Sequence, residues 1–571
     1  MQPLTKHDNS AETSKCSKEV NRKMVPTSDV AVQTTQDLTA YTPRKAKLFS
    51  EKRSIQNQLS SAQKKLSYYE EPNAELELMN FLRLCDKFFP ENTAMFIKQQ
   101  ALHLPKLPHG RRFSREFKRL CLKLYIRGPK SYKSLSSIFA LPSRITLNRM
   151  LSNVILKCGV NDNIFSFLSV SVENMSEENR LCVLCFDEMA IKTHLYYDIK
   201  RDEVLGLEDF DGQSKTFHPA RNACVFFARG ISNWKQPVAF ALSSSTTPSE
   251  VLHDILLQCI IKLKNIGIKV VAVTCDMGSA NLQLSEFLQV TSSDPYFTID
   301  EQKIIFCFDV PHLLKATRNM FLKNNFSYDE YSTDHKYVVD FYQEDSKLQR
   351  RLAPKLTNAH VSSNAFETMK VRFAAQLFSS TVAAAMTMYI HLKRLPDEAM
   401  GTIDFIDKMD KLFDILNSTN DYKGDKKFAH IFSGEGFQIE FLDECASLFE
   451  QLQVFNLKNQ NVTNRMKFIT CWKITIAGVK ELWSILKSYG LTSLPTRRLN
   501  QDVAENFFGQ VRSEGGNSFN PTSTHFYWLF RKLLCNNFFN SGNENCEEDF
   551  DSILLEADHF MQNNVVLHDD F

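Results

Sequence analysis

Leu181-Cys182-Val183-Leu184-Cys185-Phe186-Asp187-Glu188-Met189 is an apolar run that meets an acid. An uninterrupted apolar run this short reads as a buried strand. A carboxylate at its tip is too costly to bury unpaired, so it should meet a cation or a metal at the edge of a sheet. Lys269-Val270-Val271-Ala272-Val273-Thr274-Cys275-Asp276 repeats the design. Two strand-end aspartates in one sheet make a candidate metal site, and a third carboxylate must come from elsewhere in the chain.

The residues around these two runs set the fold class. His194 to Asp198 and Glu203 to Leu207 flank Lys200-Arg201-Asp202 as a hairpin, and Ala223 to Phe227 and Pro237 to Leu242 read as further strands. Pro248 to Ile266 is an amphipathic helix, with Val251, Ile255, Leu256, Cys259 and Leu263 on one face. After Asp276, Gly278-Ser279-Ala280-Asn281 leads into a helix; Ile304 to Phe308 is a strand, and Asp309-Val310-Pro311-His312 opens a helix through Leu322. Three antiparallel strands, a helix, then parallel strands with crossover helices is the order of a ribonuclease-H-like fold, assigned to residues 178–327. Over 328–495 strand signals are rare and helical segments dominate: Met369 to Tyr389, Ala399 to Leu416, Gly436 to Val454 and Phe468 to Tyr489. The fold class expected is therefore α/β plus α, a ribonuclease-H-like domain interrupted by a large helical insertion. The domain closes over 496–540, where Arg497 to Arg512 opens a helix with Glu505 one turn after Asp502 on the same face. Glu505 is the preferred third acid and Asp502 its competitor.

At 571 residues the chain is too long for one core. Hydrophobic content of 43% and charged content of 23% are ordinary for a globular protein, and the net charge of +2 says nothing about partners. Fourteen scattered cysteines suit reduced core thiols; the Cys182/Cys185 spacing falls inside a strand and reads as packing. No apolar stretch approaches 18 residues and no signal-peptide core is present, so no membrane is expected.

Residues 1–43 read as disordered. Over 44–71, Leu48, Ile55, Ala62 and Tyr69 recur every seven residues, with Leu59 and Leu66 beside them: a short coiled coil, or a helix packed on its own domain. Within 75–160, Arg111, Arg112, Arg115, Lys118, Arg119, Lys123, Arg127 and Lys130 crowd against one acid, Glu116. Ser143 then caps a helix carrying Arg144, Asn148 and Arg149. Helix, tight turn and polar-faced helix describe a helix-turn-helix gripping phosphates; a solvated helical face is the alternative. Residues 541–571 form an acidic tail.

Four stretches carry a resemblance: Cys185-Phe186-Asp187-Glu188-Met189, Cys275-Asp276-Met277-Gly278-Ser279-Ala280-Asn281, Phe308-Asp309-Val310-Pro311-His312-Leu313-Leu314-Lys315 and Asp502-Val503-Ala504-Glu505-Asn506-Phe507-Phe508-Gly509. In their order over residues 44–540 the chain resembles the P-element transposase family, which includes relatives with a THAP zinc finger. That resemblance implies a DDE triad at Asp187, Asp276 and Glu505 holding Mg2+ or Mn2+. It also implies a helical insertion that binds GTP as an architectural cofactor. Pro354-Lys355-Leu356-Thr357, Met369-Lys370-Val371 and Phe413-Asp414-Ile415-Leu416-Asn417 resemble the family's nucleotide segments. Lys355 and Lys370 would then lie near phosphates, Val371 and Phe413 near base or sugar, and Asp414 with Asn417 at the guanine edge. Ordinary helix-surface charge is the other reading of Lys370 and Asp414, and no P-loop string occurs. His312 lies near the active centre by resemblance, or is a capping or buried histidine.

The chain departs from the family in one respect. Residues 1–43 contain only Cys16, so no zinc-finger spacing appears before the heptads. The expected partners are double-stranded DNA, at transposon ends and target, and a second copy of the chain; the expected location is the nucleus. Two functions are carried forward: a metal-dependent transposase or domesticated derivative, and a catalytically inactive DNA-binding or assembly protein derived from one.

Overall fold

The computed structural model describes residues 43–534 and Ser552–Ile553, except 71–73, 153–155, 174, 200–201, 213–214, 363–366, 420–421 and 515–519. The readings of 1–43 as disordered and of 541–571 as an acidic tail lie outside the described residues, but for Pro43, which begins a helix, and Ser552–Ile553. The described residues fall into two compact units that divide between Arg111 and Arg112.

The first unit contributes helices α1 (Pro43–Glu70), α2 (Ala74–Phe88) and α3 (Glu91–His103). α1 is one unbroken helix across the heptads, and its Leu48, Ile55 and Leu59 stay more than half exposed. These three positions are therefore not packed on their own unit.

The second unit opens with α4 (Arg115–Arg127), α5 (Pro129–Ile138) and α6 (Arg144–Ser152). Ser114 accepts from Phe117 N to cap α4, and Ser143 accepts from Thr146 N to cap α6. Phe117, Cys121, Tyr125, Tyr132 and Leu147 are buried between the three helices, and Tyr132 Oη donates to Pro142 O at 2.8 Å, fixing the turn before α6. Arg112, Arg115, Arg144 and Arg149 are exposed, whereas Lys118 and Arg119 are half-buried.

The central sheet is built from β1 (Gly159–Val160), β2 (Leu181–Ala190), β5 (Asn222–Gly230), β6 (Trp234–Ser243), β7 (Lys269–Cys275), β8 (Tyr296–Ile299) and β9 (Gln302–Phe308) in the order β1-β6-β5-β2-β7-β9-β8. β2, β5 and β6 are antiparallel neighbours, and β7 and β9 run parallel to β2. This is the expected ribonuclease-H-like order, with β1 and the antiparallel β8 added at the edges. Ser552–Ile553 adds two residues parallel to β6. All ten residues of β6 are buried, which requires cover on both faces. β3 (Tyr196–Asp198) and β4 (Glu203–Leu205) form the expected hairpin as a separate ribbon. α7 (Asp162–Val172), α8 (Ser249–Asn265), α9 (Ser279–Phe287) and α10 (Val310–Phe321) precede the insertion.

The insertion holds α11 (Lys336–Asp345), α12 (Asn358–Val361), α13 (Val371–Leu377), α14 (Ser380–His391), α15 (Met400–Leu416) and α16 (Gly436–Gln451). It differs from the sequence reading in three ways. β10 (Asn324–Tyr328), β11 (Tyr331–Ser332) and β12 (Gln453–Asn456) make a small sheet where none was expected. The helix expected over Met369 to Tyr389 is two helices, broken at Phe378-Ser379. Its span, Val371–His391, is apolar and long enough to cross a membrane by length and composition, at mean hydropathy 1.3, contrary to the expectation of no such stretch; half of it is buried within the fold. Finally, α17 (Lys467–Ser488) lies on β9 and serves the sheet. Gly478 permits this, since a Cβ there would come within 3.0 Å of Ile305 Cγ2. α18 (Asp502–Glu514) and α19 (Ser523–Leu534) complete the chain's second unit, with Phe507 against Phe227 and Phe530 against Phe240. Every described cysteine is a buried free thiol, including Cys182 and Cys185.

Candidate active site

β2 does not end at Asp187. It runs on to Ala190, and Asp187 pairs with Val225 of β5 on one side. On the other side its pairing with β7 stops at Cys185↔Thr274, so Asp187 stands where β2 and β7 part. Asp276 leaves β7 one residue beyond that strand's last member. Its Oδ1 accepts from Gly278 N at 2.8 Å and Asn281 Nδ2 at 2.6 Å, which turns the carboxylate back over the sheet edge. Gly278 suits that turn, because a Cβ would sit 3.0 Å from Oδ1. Both aspartates line a cavity of about 310 Å³ with Phe186, Glu188, Cys224 and Asn281. Glu188 points to Thr247 N at 2.7 Å and is thereby occupied.

Burial, and then the Asp276 charge, push the Asp187 carboxyl up to about 7; His312 opposes this and Glu505 adds to it. The two aspartates thus repel across a poorly hydrated edge, the condition in which a carboxyl holds its proton or recruits a cation. Cations stand close by on α10. His312 Nδ1 lies 2.6 Å from Asp309 Oδ2, and its Nε2 lies 3.9 Å from Glu505 Oε1. Burial works against protonation of His312, but the Asp309 carboxylate outweighs it and lifts the imidazole to about 9. Lys315, one turn further along, is depressed by burial while Glu505, Asp309, Asp276 and Asp187 all pull the other way.

The two acids of α18 part company. Asp502 Oδ2 takes Arg497 Nε at 2.6 Å, so the competitor for the third position is engaged elsewhere. Glu505 turns toward His312 with 47% of its side chain exposed. The protein around its carboxyl, and then the Asp309 charge, hold it above the usual carboxylate range against the pull of His312. Among the described residues no three His, Cys, Asp or Glu side chains are gathered tightly enough to clasp an ion as they stand. The carboxylates at this edge offer only oxygens, a donor set that suits a hard divalent cation such as Mg2+ or Mn2+.

Asp309 is the residue that sequence reasoning missed. It is 1% exposed and accepts three N–H bonds: Gln501 N at 2.7 Å, His312 N at 2.9 Å and His312 Nδ1. Burial would raise its carboxyl, yet His312 and these bonds hold it below the usual range. The signal lay in Ile304 to Asp309, a third apolar run ending in an acid.

The nucleotide candidates occupy the insertion. Lys370 precedes α13, with its ammonium 5.5 Å from the Phe373 ring centre, and Arg318 Nη2 donates to the Lys370 carbonyl. Lys355 is exposed ahead of α12, and Val371 is half-buried at the start of α13. On α15, Phe413 is half-buried, while Asp414 pairs with Lys426 at 3.0 Å beside Asp410, which shares the same ammonium. Asn417 Oδ1 accepts from Asn500 Nδ2 at 2.7 Å. Asp414 and Asn417 therefore have protein partners that a guanine edge would have to displace.

Three family models match the chain in order: TNP-like, RNase H N-terminal domain, over residues 156–289; TNP-like, GTP-binding insertion domain, over 311–429; and TNP-like, RNase H C-terminal domain, over 498–531. The chain is 28% identical over 417 residues to the Transposable element P transposase of Drosophila melanogaster, covering 72% of this chain and 52% of that one. It is 30% identical over 333 residues to DNA transposase THAP9 of Homo sapiens, covering 54% and 35%. The solved Drosophila P element transposase strand transfer complex matches with a TM-score of 0.68 at 26% identity, covering 81% of this chain and 98% of that chain. The chain spans about half the length, or less, of the two full-length relatives it matches.

Proposed function

The chain belongs to the P-element-like transposase family, and from that membership we propose that it is a metal-dependent DNA transposase or a domesticated derivative, cutting double-stranded DNA and joining it to a target. The observation that carries this reading is the placement of Asp187 and Asp276 on one cavity at the parting of β2 and β7, with Glu505 on the helix packed against β2. Asp187, Asp276 and Glu505 would hold divalent ions, which when bound stabilise charge on the attacking and leaving oxygens of strand transfer. The chain's own part is to aim these carboxylates, to keep Asp276 turned inward through Gly278 and Asn281, and to release Glu505 from His312. His312 and Lys315 would balance the acids until the ions and the phosphate backbone arrive.

GTP fits this reading as a bound cofactor of the helical insertion, with Lys355 and Lys370 at its phosphates, Val371 and Phe413 at base or sugar, and Asp414 and Asn417 at the guanine edge. The helices α4 to α6 would act as a helix-turn-helix, with Arg111, Arg112, Arg115, Lys118, Arg119, Arg144 and Arg149 on phosphates. The exposed Leu48, Ile55 and Leu59 of α1 fit pairing with a second copy, and a DNA substrate fits residence in the nucleus.

The inactive DNA-binding or assembly protein remains the second reading, favoured by Glu505 lying on His312. A strand-transfer assay on duplex DNA with Mg2+ separates them. Wild type should cut and join, chelator should stop it, and Asp276→Ala should lower the rate by at least about 10³-fold. Equal rates for the two proteins, or no product from either, overturns the enzymatic reading.

A further inference from the structure

Asp309 and Gln501 lie at the crossing of three segments distant in the chain, each of which carries one candidate metal ligand. We propose that these two are positioning residues, setting the relative placement of Asp187, Asp276 and Glu505; the inference rests on the catalytic reading above.

The bonds run to the residues next to the acids. Asp309 N donates to the carbonyl of Cys275, the residue before Asp276, at 2.8 Å. Gln501 Nε2 donates to the carbonyl of Phe186, the residue before Asp187. Asp309 Oδ1 accepts from Gln501 N at 2.7 Å, and Gln501 O accepts from Glu505 N at 3.1 Å in the first turn of α18. An unbroken chain of hydrogen bonds thus joins the ends of β2, β7 and β9 to α18, all of it within the fold.

The residue types are specific to the task. A carboxylate can accept from Gln501 N and from both His312 donors; an Asn would turn an N–H₂ toward one set and leave a buried donor unpaired. Gln501 is 1% exposed and its Oε1 is buried with no hydrogen-bond partner. Its amide is therefore kept for the one bond to Phe186, where an apolar residue of equal length would fill the space at less cost. Groups that orient metal ligands change metal affinity by about 10- to 100-fold when removed.

Mn2+ binding by calorimetry and Mn2+-dependent DNA cleavage, measured on the full chain, test this. Gln501→Met keeps the backbone bond to Asp309 and side-chain volume, so its melting midpoint should stay near wild type. Its Mn2+ half-saturation should rise about 10- to 100-fold, and its cleavage rate at saturating Mn2+ should fall about 100-fold, with DNA affinity unchanged. Asp309→Asn should show the same shifts; if it does not fold, Gln501→Met decides alone. A folded Gln501→Met with wild-type Mn2+ half-saturation overturns the proposal. Should wild type bind Mn2+ without cutting DNA, the catalytic reading fails while the Mn2+ comparison still judges the positioning role. Wild type that takes up no Mn2+ overturns both.

Discussion

Asp187 is held in a position that an ionised carboxylate does not favour on its own. With its carboxyl pushed up to about 7, the folded protein binds a proton more tightly than the unfolded chain, whose aspartates titrate near 3.9. Below about pH 4 the group is protonated in both states and costs nothing; between about pH 4 and about 7 the unfolded chain gives up this proton while burial, and then the Asp276 charge, make the folded protein keep it, so stability falls over that window and is level above it. Metal-free Asp187→Asn should therefore melt a few degrees above wild type at pH 8, with the gap closing toward pH 4 in a scanning calorimeter. A variant that melts lower at pH 8 would show that Asp187 is stabilised by something other than relief of repulsion. This acid and Asp276 were legible because an apolar run ending in a carboxylate has few physical outcomes. Asp309 shares that pattern, and nothing in the residues tells which strand-end acid faces the cavity and which is buried against the N–H donors of Gln501 and His312. That Arg497 engages Asp502 while Glu505 faces His312 was likewise not readable from spacing, since both partners are met only in the folded chain.

The strands and helices that carry the site followed from periodicity, whereas the cover of the sheet did not. α17 reads as one more insertion helix until it is seen lying on β9, with Phe308 N donating to Thr475 Oγ1 at 3.0 Å and Trp472 Nε1 donating to Thr317 Oγ1. A long apolar helix has the same text whether it covers a sheet or another helix. Gly478→Leu should lower stability by about 1–3 kcal/mol in urea unfolding, because Ile305 and the Phe306 carbonyl leave no room for a branched side chain. On α15 the charge cluster suggests a different experiment. Asp414→Ala leaves the Asp410–Lys426 pair in place, so the melting midpoint should move little while GTP affinity by calorimetry falls about tenfold or more. Unchanged GTP affinity would remove Asp414 from the nucleotide site. The small sheet of β10, β11 and β12 escaped notice because its strands are two to five residues long, too short for alternation to register.

For the molecule as a whole, the proposed associations would run through the exposed Leu48, Ile55 and Leu59 of α1 and the exposed arginines of α4 and α6. Ile55→Glu with Leu59→Glu should halve the mass seen by light scattering if the seam pairs two copies; an unchanged mass would assign self-association, if any, to another surface. Above these associations stands the proposed convergence of Asp187, Asp276 and Glu505 on divalent cations. Anomalous scattering from crystals of the full chain grown with Mn2+ and duplex DNA addresses it directly. The account predicts Mn2+ bound between Asp187 and Asp276, with Glu505 turned from His312 to complete the coordination. Mn2+ found elsewhere, or Glu505 still resting on His312 beside a site without metal, would contradict it.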